Sequence, residues 1–162
     1  MPPATLEQVL GSEAHFPGFL KYCTKTLTGE NVLFLNACRF IDSTLGKCVG
    51  KGVVPQNVKM AFDGNSAWKF KALVAHFVGP GAGTMQINLP AEMEKRALEE
   101  AAYSTSPSHL TVLRQLYAEI DHLVTKDILP RFLKDPGSVT VTVATTTEIW
   151  NIPGGIEGRK RR

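Results

Sequence analysis

Histidines and cysteines are the first residues to consider in this sequence as metal ligands or catalytic groups. There are four histidines and three cysteines. No two histidines have the His-x-x-x-His spacing of a helical zinc site, and no cysteine lies at ligand spacing from a histidine or from a second cysteine. The pattern therefore predicts no metal site and no cofactor. The cysteines are expected to be reduced thiols, and the histidines are expected to lie at the surface or to be partly hydrogen-bonded. These residues are His15, His76, His109, His122, Cys23, Cys38 and Cys48.

Glycine-rich and acidic segments also give no catalytic motif. Residues 79–83 have the composition of a phosphate-binding loop, but they follow a predicted helix and no Lys-Ser/Thr pair ends them. The sequence lacks the Gly-x-Ser-x-Gly elbow of a serine nucleophile. The glutamates of residues 92–100 are interpreted as a solvated helix face. The sequence thus predicts that the protein is not an enzyme.

Two polar clusters remain as candidates for binding. The first is Glu30 with Asn31, at the start of a predicted helix, where Glu30 would complement the positive helix end. Asn31 is a mediocre helix former, so a purely local explanation of it is weaker. The second cluster combines Asp127, predicted to cap the final helix, with Arg131 as its ion partner. Local roles explain both clusters without excluding a binding role.

The elements that position these clusters are helices. Apolar residues recur at helical spacing, and Gly, Pro, Ser and Thr mark the ends. Helices are predicted over residues 6–10, 15–27, 28–45, 56–62, 66–77 (starting at 65 or 66), 91–102, 107–126 and 128–134. Residues 46–64 carry the weakest pattern. The fold class is therefore predicted to be all-α, a bundle of about seven to nine helices.

Length and charge bound the organisation of the chain. The 162 residues, 43% of them hydrophobic, suffice for one domain with a core, predicted over 1–136. Residues 137–162 form a Thr/Val-rich and basic tail, where alternating valines (139–143) are typical of a strand and 156–159 match an engineered protease-cleavage sequence. Net charge is +3, but the last four residues carry +4. Without them the balance is slightly acidic, so no nucleic-acid partner is expected. No transmembrane segment or secretory signal is predicted.

The order of the motifs resembles that of the regulator of G-protein signalling (RGS) domain. The resemblance covers about residues 5–136, with an enlarged loop between 46 and 64. Its strongest part is the closing stretch from Leu123 to Leu133, and Gly29-Glu30-Asn31-Val32-Leu33-Phe34 is close to the start of a helix in that family. The other matching segments are 6–10, 16–21 and 87–89, the last followed by the charged helix 92–98.

The resemblance implies a two-lobed helical bundle that binds the switch loops of a GTP-bound Gα subunit. It assigns this contact to Glu30, Asn31, Arg96, Leu123, Asp127 and Arg131, and secondarily to Leu27 and Ile128. Arg96 stands where the family has an asparagine that touches the Gα glutamine, and Ile128 where it usually has a serine.

Two hypotheses on function follow from the resemblance and stay open at this point. The first is a GTPase-activating regulator, cytoplasmic and peripherally associated through its partner with the inner face of the plasma membrane. The second is an RGS-homology interaction module with weak or no activating effect, which the residues at positions 96 and 128 favour.

Overall fold

The computed structural model describes residues 3–61, 66–102 and 108–134, with the backbone alone at 66 and 67. Over these ranges the protein is all-α and contains no strand, which confirms the predicted fold class. The helices are α1 (Leu6–Leu10), α2 (Phe16–Lys25), α3 (Gly29–Ile41), α4 (Gln56–Lys59), α5 (Ser66–Phe77), α6 (Ala91–Ala101), α7 (His109–Leu123) and α8 (Leu129–Lys134). Short 3₁₀ helices cover Ser43–Leu45, Lys51–Val53 and Pro80–Met85, and a π turn covers Val124–Ile128. The predicted tail and the Ser-Pro start at 106–107 lie outside the described residues.

A capping box starts α1 at the predicted residue. The Thr5 hydroxyl accepts a bond from the Gln8 N–H at 3.2 Å, and Gln8 Oε1 accepts one from the Thr5 N–H at 3.1 Å. Each side chain satisfies a backbone donor that the first helical turn leaves unpaired. The carboxylate of Glu7 then forms an ion pair with Arg39 and so fixes α1 to α3.

Helix α3 is shorter than predicted because the backbone becomes extended at Asp42 (φ −129°, ψ 96°). The Asp42 carboxylate accepts bonds from the Thr44 N–H at 3.1 Å and from its hydroxyl at 2.6 Å. This local bonding begins a separate 3₁₀ turn, since an aspartate side chain competes with helical backbone bonds. The prediction of one helix over 28–45 is therefore wrong at its C-terminal end.

The core lies where α3, α5 and α7 pack against one another. The rings of Phe34 and Phe77 meet edge to face at 5.6 Å, and Cys38 is fully buried. His109 is stacked on Phe70 at 4.8 Å, and its Nε2 lies 2.8 Å from the carbonyl oxygen of Glu100. His109 and His76 are both buried, and the hydrogen bond of His109 agrees with the expectation of histidines that lie at the surface or are partly hydrogen-bonded.

Candidate functional site

A Schellman motif ends α2 and places Leu27 in an unusual conformation. The Thr28 N–H bonds to the Cys23 carbonyl at 2.7 Å, and the Leu27 N–H bonds to the Thr24 carbonyl at 3.2 Å. This pattern requires a left-handed residue, usually glycine, and Leu27 supplies it with φ +61°. The leucine side chain is 76% exposed. The sequence has no glycine at this position, which explains why the predicted helix ran two residues too far.

Threonine side chains hold this turn in place. The hydroxyls of Thr26 and Thr28 lie 3.2 Å apart, and each also donates to the Cys23 carbonyl at 3.3 Å. A turn with several bonds of this kind has few alternative conformations. Leu27 is therefore presented to solvent from a fixed backbone.

Glu30 and Asn31 follow in the first turn of α3 and differ in exposure. Glu30 is partly exposed, as an acidic residue at a helix N-terminus is expected to be. Asn31 is only 6% exposed, and its Nδ2 donates to the Thr28 carbonyl at 3.4 Å. This bond gives Asn31 a local structural role that could not be recognised from the sequence. Because its side chain is buried, Asn31 offers little surface to a partner.

A π turn at Val124–Ile128 joins α7 to α8 without a break. The Leu129 N–H bonds to the Val124 carbonyl, five residues back. Pro130 explains the wider turn, because it lacks an N–H and its ring would clash with the carbonyl four residues earlier in a regular helix. Asp127 lies inside this turn, so the prediction that it caps the final helix is wrong.

The predicted ion pair between Asp127 and Arg131 is confirmed. Arg131 Nη2 lies 2.9 Å from Asp127 Oδ2, and Arg131 Nε donates to the Asp127 carbonyl at 3.0 Å. The Asp127 side chain is 64% exposed and the Arg131 side chain is 57% exposed. A surface pair at this spacing contributes only about 0.3–0.5 kcal/mol to stability. Its two bonds nevertheless fix the orientation of the guanidinium group on the surface.

Packing of α8 on α2 brings the two predicted clusters together. The Phe132 ring lies 5.0 Å from the Phe19 ring and 5.4 Å from the Tyr22 ring. Phe132 is next to Arg131, and Tyr22 precedes the turn at Leu27 by little more than one helical turn. Segments more than a hundred residues apart in sequence are therefore in contact.

The charges that act on the Cys23 thiol also indicate that the two clusters lie close together. Burial raises the pKa of the Cys23 thiol to about 12, and a hydrogen bond with Thr28 opposes the rise. The charge of Glu30 raises this pKa further, whereas that of Arg131 lowers it. Both side chains are thus close enough to act on one sulfur atom. We refer to Leu27, Glu30, Asp127 and Arg131 together as the turn–helix surface.

The remaining predicted residues lie in three different settings. Leu123, at the end of α7, is partly exposed and directly precedes the π turn. Ile128 is only 3% exposed and belongs to the core, so its burial opposes the contact suggested for it. Arg96 is exposed on α6, which packs against α5 and α7.

The helix that carries Arg96 is joined to α7 by a bond between the Glu100 carbonyl oxygen and His109 Nε2, 2.8 Å apart. Among the described elements, α6 packs extensively against α5 and α7 and not against α2, α3 or α8. Arg96 thus lies on a helix that contributes no residue to the turn–helix surface.

Comparison with protein-family models, curated proteins and solved structures gives no match to this chain. Within the described ranges, no group of three or more His, Cys, Asp or Glu residues is placed to hold a metal ion. No helix in that part of the chain has the length and apolar character needed to cross a bilayer.

Proposed function

We propose that this protein binds the switch loops of a GTP-bound Gα subunit through the turn–helix surface and accelerates GTP hydrolysis by that subunit. The observation that carries the proposal is the packing of α8 on α2, which brings together the start of α3 and the π turn, two of the segments that resemble RGS domains. The surface combines one exposed apolar side chain, Leu27, with charges of both signs at Glu30, Asp127 and Arg131.

The proposed mechanism involves no bond chemistry by this protein, so it is an activator and not an enzyme. Gα subunits carry their own arginine and glutamine for hydrolysis. A partner accelerates this reaction when it binds the transition-state arrangement of the loops more tightly than the ground state. Such a partner needs a rigid surface. The threonine bonds around Leu27 and the two bonds between Arg131 and Asp127 support this requirement.

Single-turnover GTP hydrolysis by a panel of Gα subunits, with and without the protein, tests the proposal. Arg131→Glu is expected to reduce the acceleration by about tenfold or more, because a charge-assisted contact is worth about 1.5–3 kcal/mol. Its fold should be unaffected, since the lost pair is exposed. Lys95→Glu makes the same charge change on exposed α6 and serves as the control. Absence of acceleration for every Gα at tens of micromolar protein contradicts the proposal.

Two observations favour the second candidate, an interaction module that binds Gα or another protein without activating it. Asn31 is buried, and Arg96 lies on α6, which packs extensively against α5 and α7 rather than against α2, α3 or α8. The two candidates differ in their dependence on nucleotide state. An activator should bind Gα loaded with GDP and aluminium fluoride far more tightly than Gα loaded with GDP alone. Equal binding to both forms identifies an interaction module for Gα, and binding to neither form argues against Gα as the partner.

A further inference from the structure

A cavity of about 480 Å³ lies between α1, α7, the π turn and α8. This volume is within the range of small-molecule sites, which are mostly apolar with a few polar groups. Its apolar wall is formed chiefly by Leu6, Leu45, Leu129, Pro130 and Leu133. The last of these is one of the few large apolar side chains that stay exposed in the described part of the chain. The cavity thus has apolar surface that is exposed to solvent.

The polar end of the cavity contains a buried guanidinium group whose charge is already compensated. The Arg39 side chain is 2% exposed. Its Nε donates to the Tyr117 hydroxyl at 3.0 Å, its Nη1 to the Lys47 carbonyl at 3.1 Å, and its Nη2 to the Glu7 carboxylate. Since Glu7 neutralises Arg39, this end of the cavity has no surplus positive charge to attract an anion.

Asp121 adds a second carboxylate to the cavity. Glu7, Arg39 and Asp121 all line it, so the two carboxylates exceed the single guanidinium group by one negative charge. The Asp121 side chain is partly buried and accepts a hydrogen bond from the Thr125 hydroxyl at 3.5 Å, and no described lysine, arginine or histidine forms an ion pair with it. Burial raises the pKa of Asp121, and the nearby positive charge of Arg39 opposes this rise without cancelling it. A carboxylate in this state is stabilised by a cation that brings its own hydrogen-bond donors.

We propose that this cavity binds a small organic cation, a protonated amine with an apolar body. The ammonium group would bond to Asp121, and the apolar body would pack against Leu129 and Leu133. In the π turn and α8, the residues that line the cavity lie on one side of the helical segment, and Asp127 and Arg131 lie on the other. The ligand would therefore lie on the opposite side of this segment from the turn–helix surface. The proposal does not depend on Gα binding.

Calorimetric titration of the full chain with three probes of equal length tests this proposal. Hexylamine is expected to bind at least about tenfold more tightly than hexanol, because the charge-assisted bond contributes about 1.5–3 kcal/mol. Hexanoate is expected to bind more weakly than either probe, since its charge repels Asp121. Equal binding of hexanoate and hexylamine overturns the proposal. So does a hexylamine Kd weaker than about 10 mM.

Two matched variants locate the binding site. Asp121→Asn keeps the shape of the side chain and should weaken hexylamine binding by about tenfold while leaving hexanol binding unchanged. Glu119→Gln removes a carboxylate from the same helix outside the cavity and should leave both affinities unchanged. Unaltered hexylamine binding by Asp121→Asn overturns the assignment. If circular dichroism shows that this variant is unfolded, the three-probe comparison on the unmodified chain decides alone.

Discussion

Asp42 and Arg114 are joined by a 2.8 Å hydrogen bond across 72 residues of sequence, between the end of α3 and α7. Asp42 is buried and also accepts two bonds from Thr44. One carboxylate thus ends α3, starts the next turn and holds α7 in place. Removing it affects all three interactions together.

Asp42→Asn is expected to lower the free energy of unfolding by about 1–3 kcal/mol at neutral pH, because bonds to a buried charged group are lost. Burial raises the pKa of Asp42, but the bonds from Thr44 and Arg114 outweigh it and hold this pKa below its ordinary value. A depressed pKa in the folded state contributes stability above the unfolded pKa of about 3.9, and this contribution is lost as pH falls through the folded pKa.

The measurement is urea unfolding of the wild type and Asp42→Asn at pH 7 and at acid pH. The difference in stability between them should shrink as the pH falls below the pKa of Asp42. Asp127→Asn is the control, since its exposed pair should contribute only about 0.3–0.5 kcal/mol. A difference between Asp42→Asn and the wild type that is the same at both pH values argues against a role for the ionised carboxylate.

Arg39→Met is expected to destabilise the protein by about 2–4 kcal/mol, because it leaves the buried Tyr117 hydroxyl and the Lys47 carbonyl without their donor. Glu7 is largely exposed and should recover its hydration, which keeps the loss below that of a fully buried pair. Thermal unfolding followed by circular dichroism measures the change. Arg96→Met, at an exposed position, should alter stability by less than about 0.5 kcal/mol. Similar losses for both variants would contradict a specific role for Arg39.

Gly50→Ala tests how tightly the segment after α3 is packed. An added Cβ would lie 2.5 Å from the Phe16 ring and 2.9 Å from Asn36 Nδ2, which itself donates to the Gly50 carbonyl at 2.7 Å. Overpacking of this kind costs about 1–3 kcal/mol. Gly81→Ala has open space around its Cβ and should stay within about 0.5 kcal/mol of the wild type in chemical denaturation. Equal stability of the two variants would mean that the segment after α3 can move to make room for the added methyl group without losing stability.

Local signals in the sequence predicted the elements well, and the misses have identifiable causes. The helix over residues 6–10 and the Asp127–Arg131 pair depend on residues close in sequence, and both predictions are confirmed. The Asp127 cap was wrong because Pro130 is accommodated by a π turn rather than by a new helix start. Leu27 was placed inside a helix because a leucine is not the usual residue for a left-handed C-terminal position.

The arrangement of the two functional surfaces could be predicted only in part. The motif resemblance pointed to both halves of the turn–helix surface, but the packing of Phe132 on α2 that joins them is a tertiary contact. The cavity was not predicted, because Glu7, Arg39 and Asp121 are far apart in sequence and meet only through the packing of α1, α3 and α7. The burial of Asn31 likewise depends on the turn before it.

Substitutions at Leu27 distinguish what folding requires at this position from what partner binding requires there. Its left-handed backbone costs a non-glycine residue about 1–2 kcal/mol, so Leu27→Gly should be more stable than Leu27→Ala by about 1 kcal/mol. Both variants remove the exposed apolar side chain and should weaken Gα binding to a similar extent. Chemical denaturation and Gα binding measured on the same samples check the two effects. Met60→Ala removes another exposed apolar side chain, outside the turn–helix surface, and should leave Gα binding unchanged. Binding that follows stability, tighter for Leu27→Gly than for Leu27→Ala, would show that the conformation of the turn matters more than the leucine side chain.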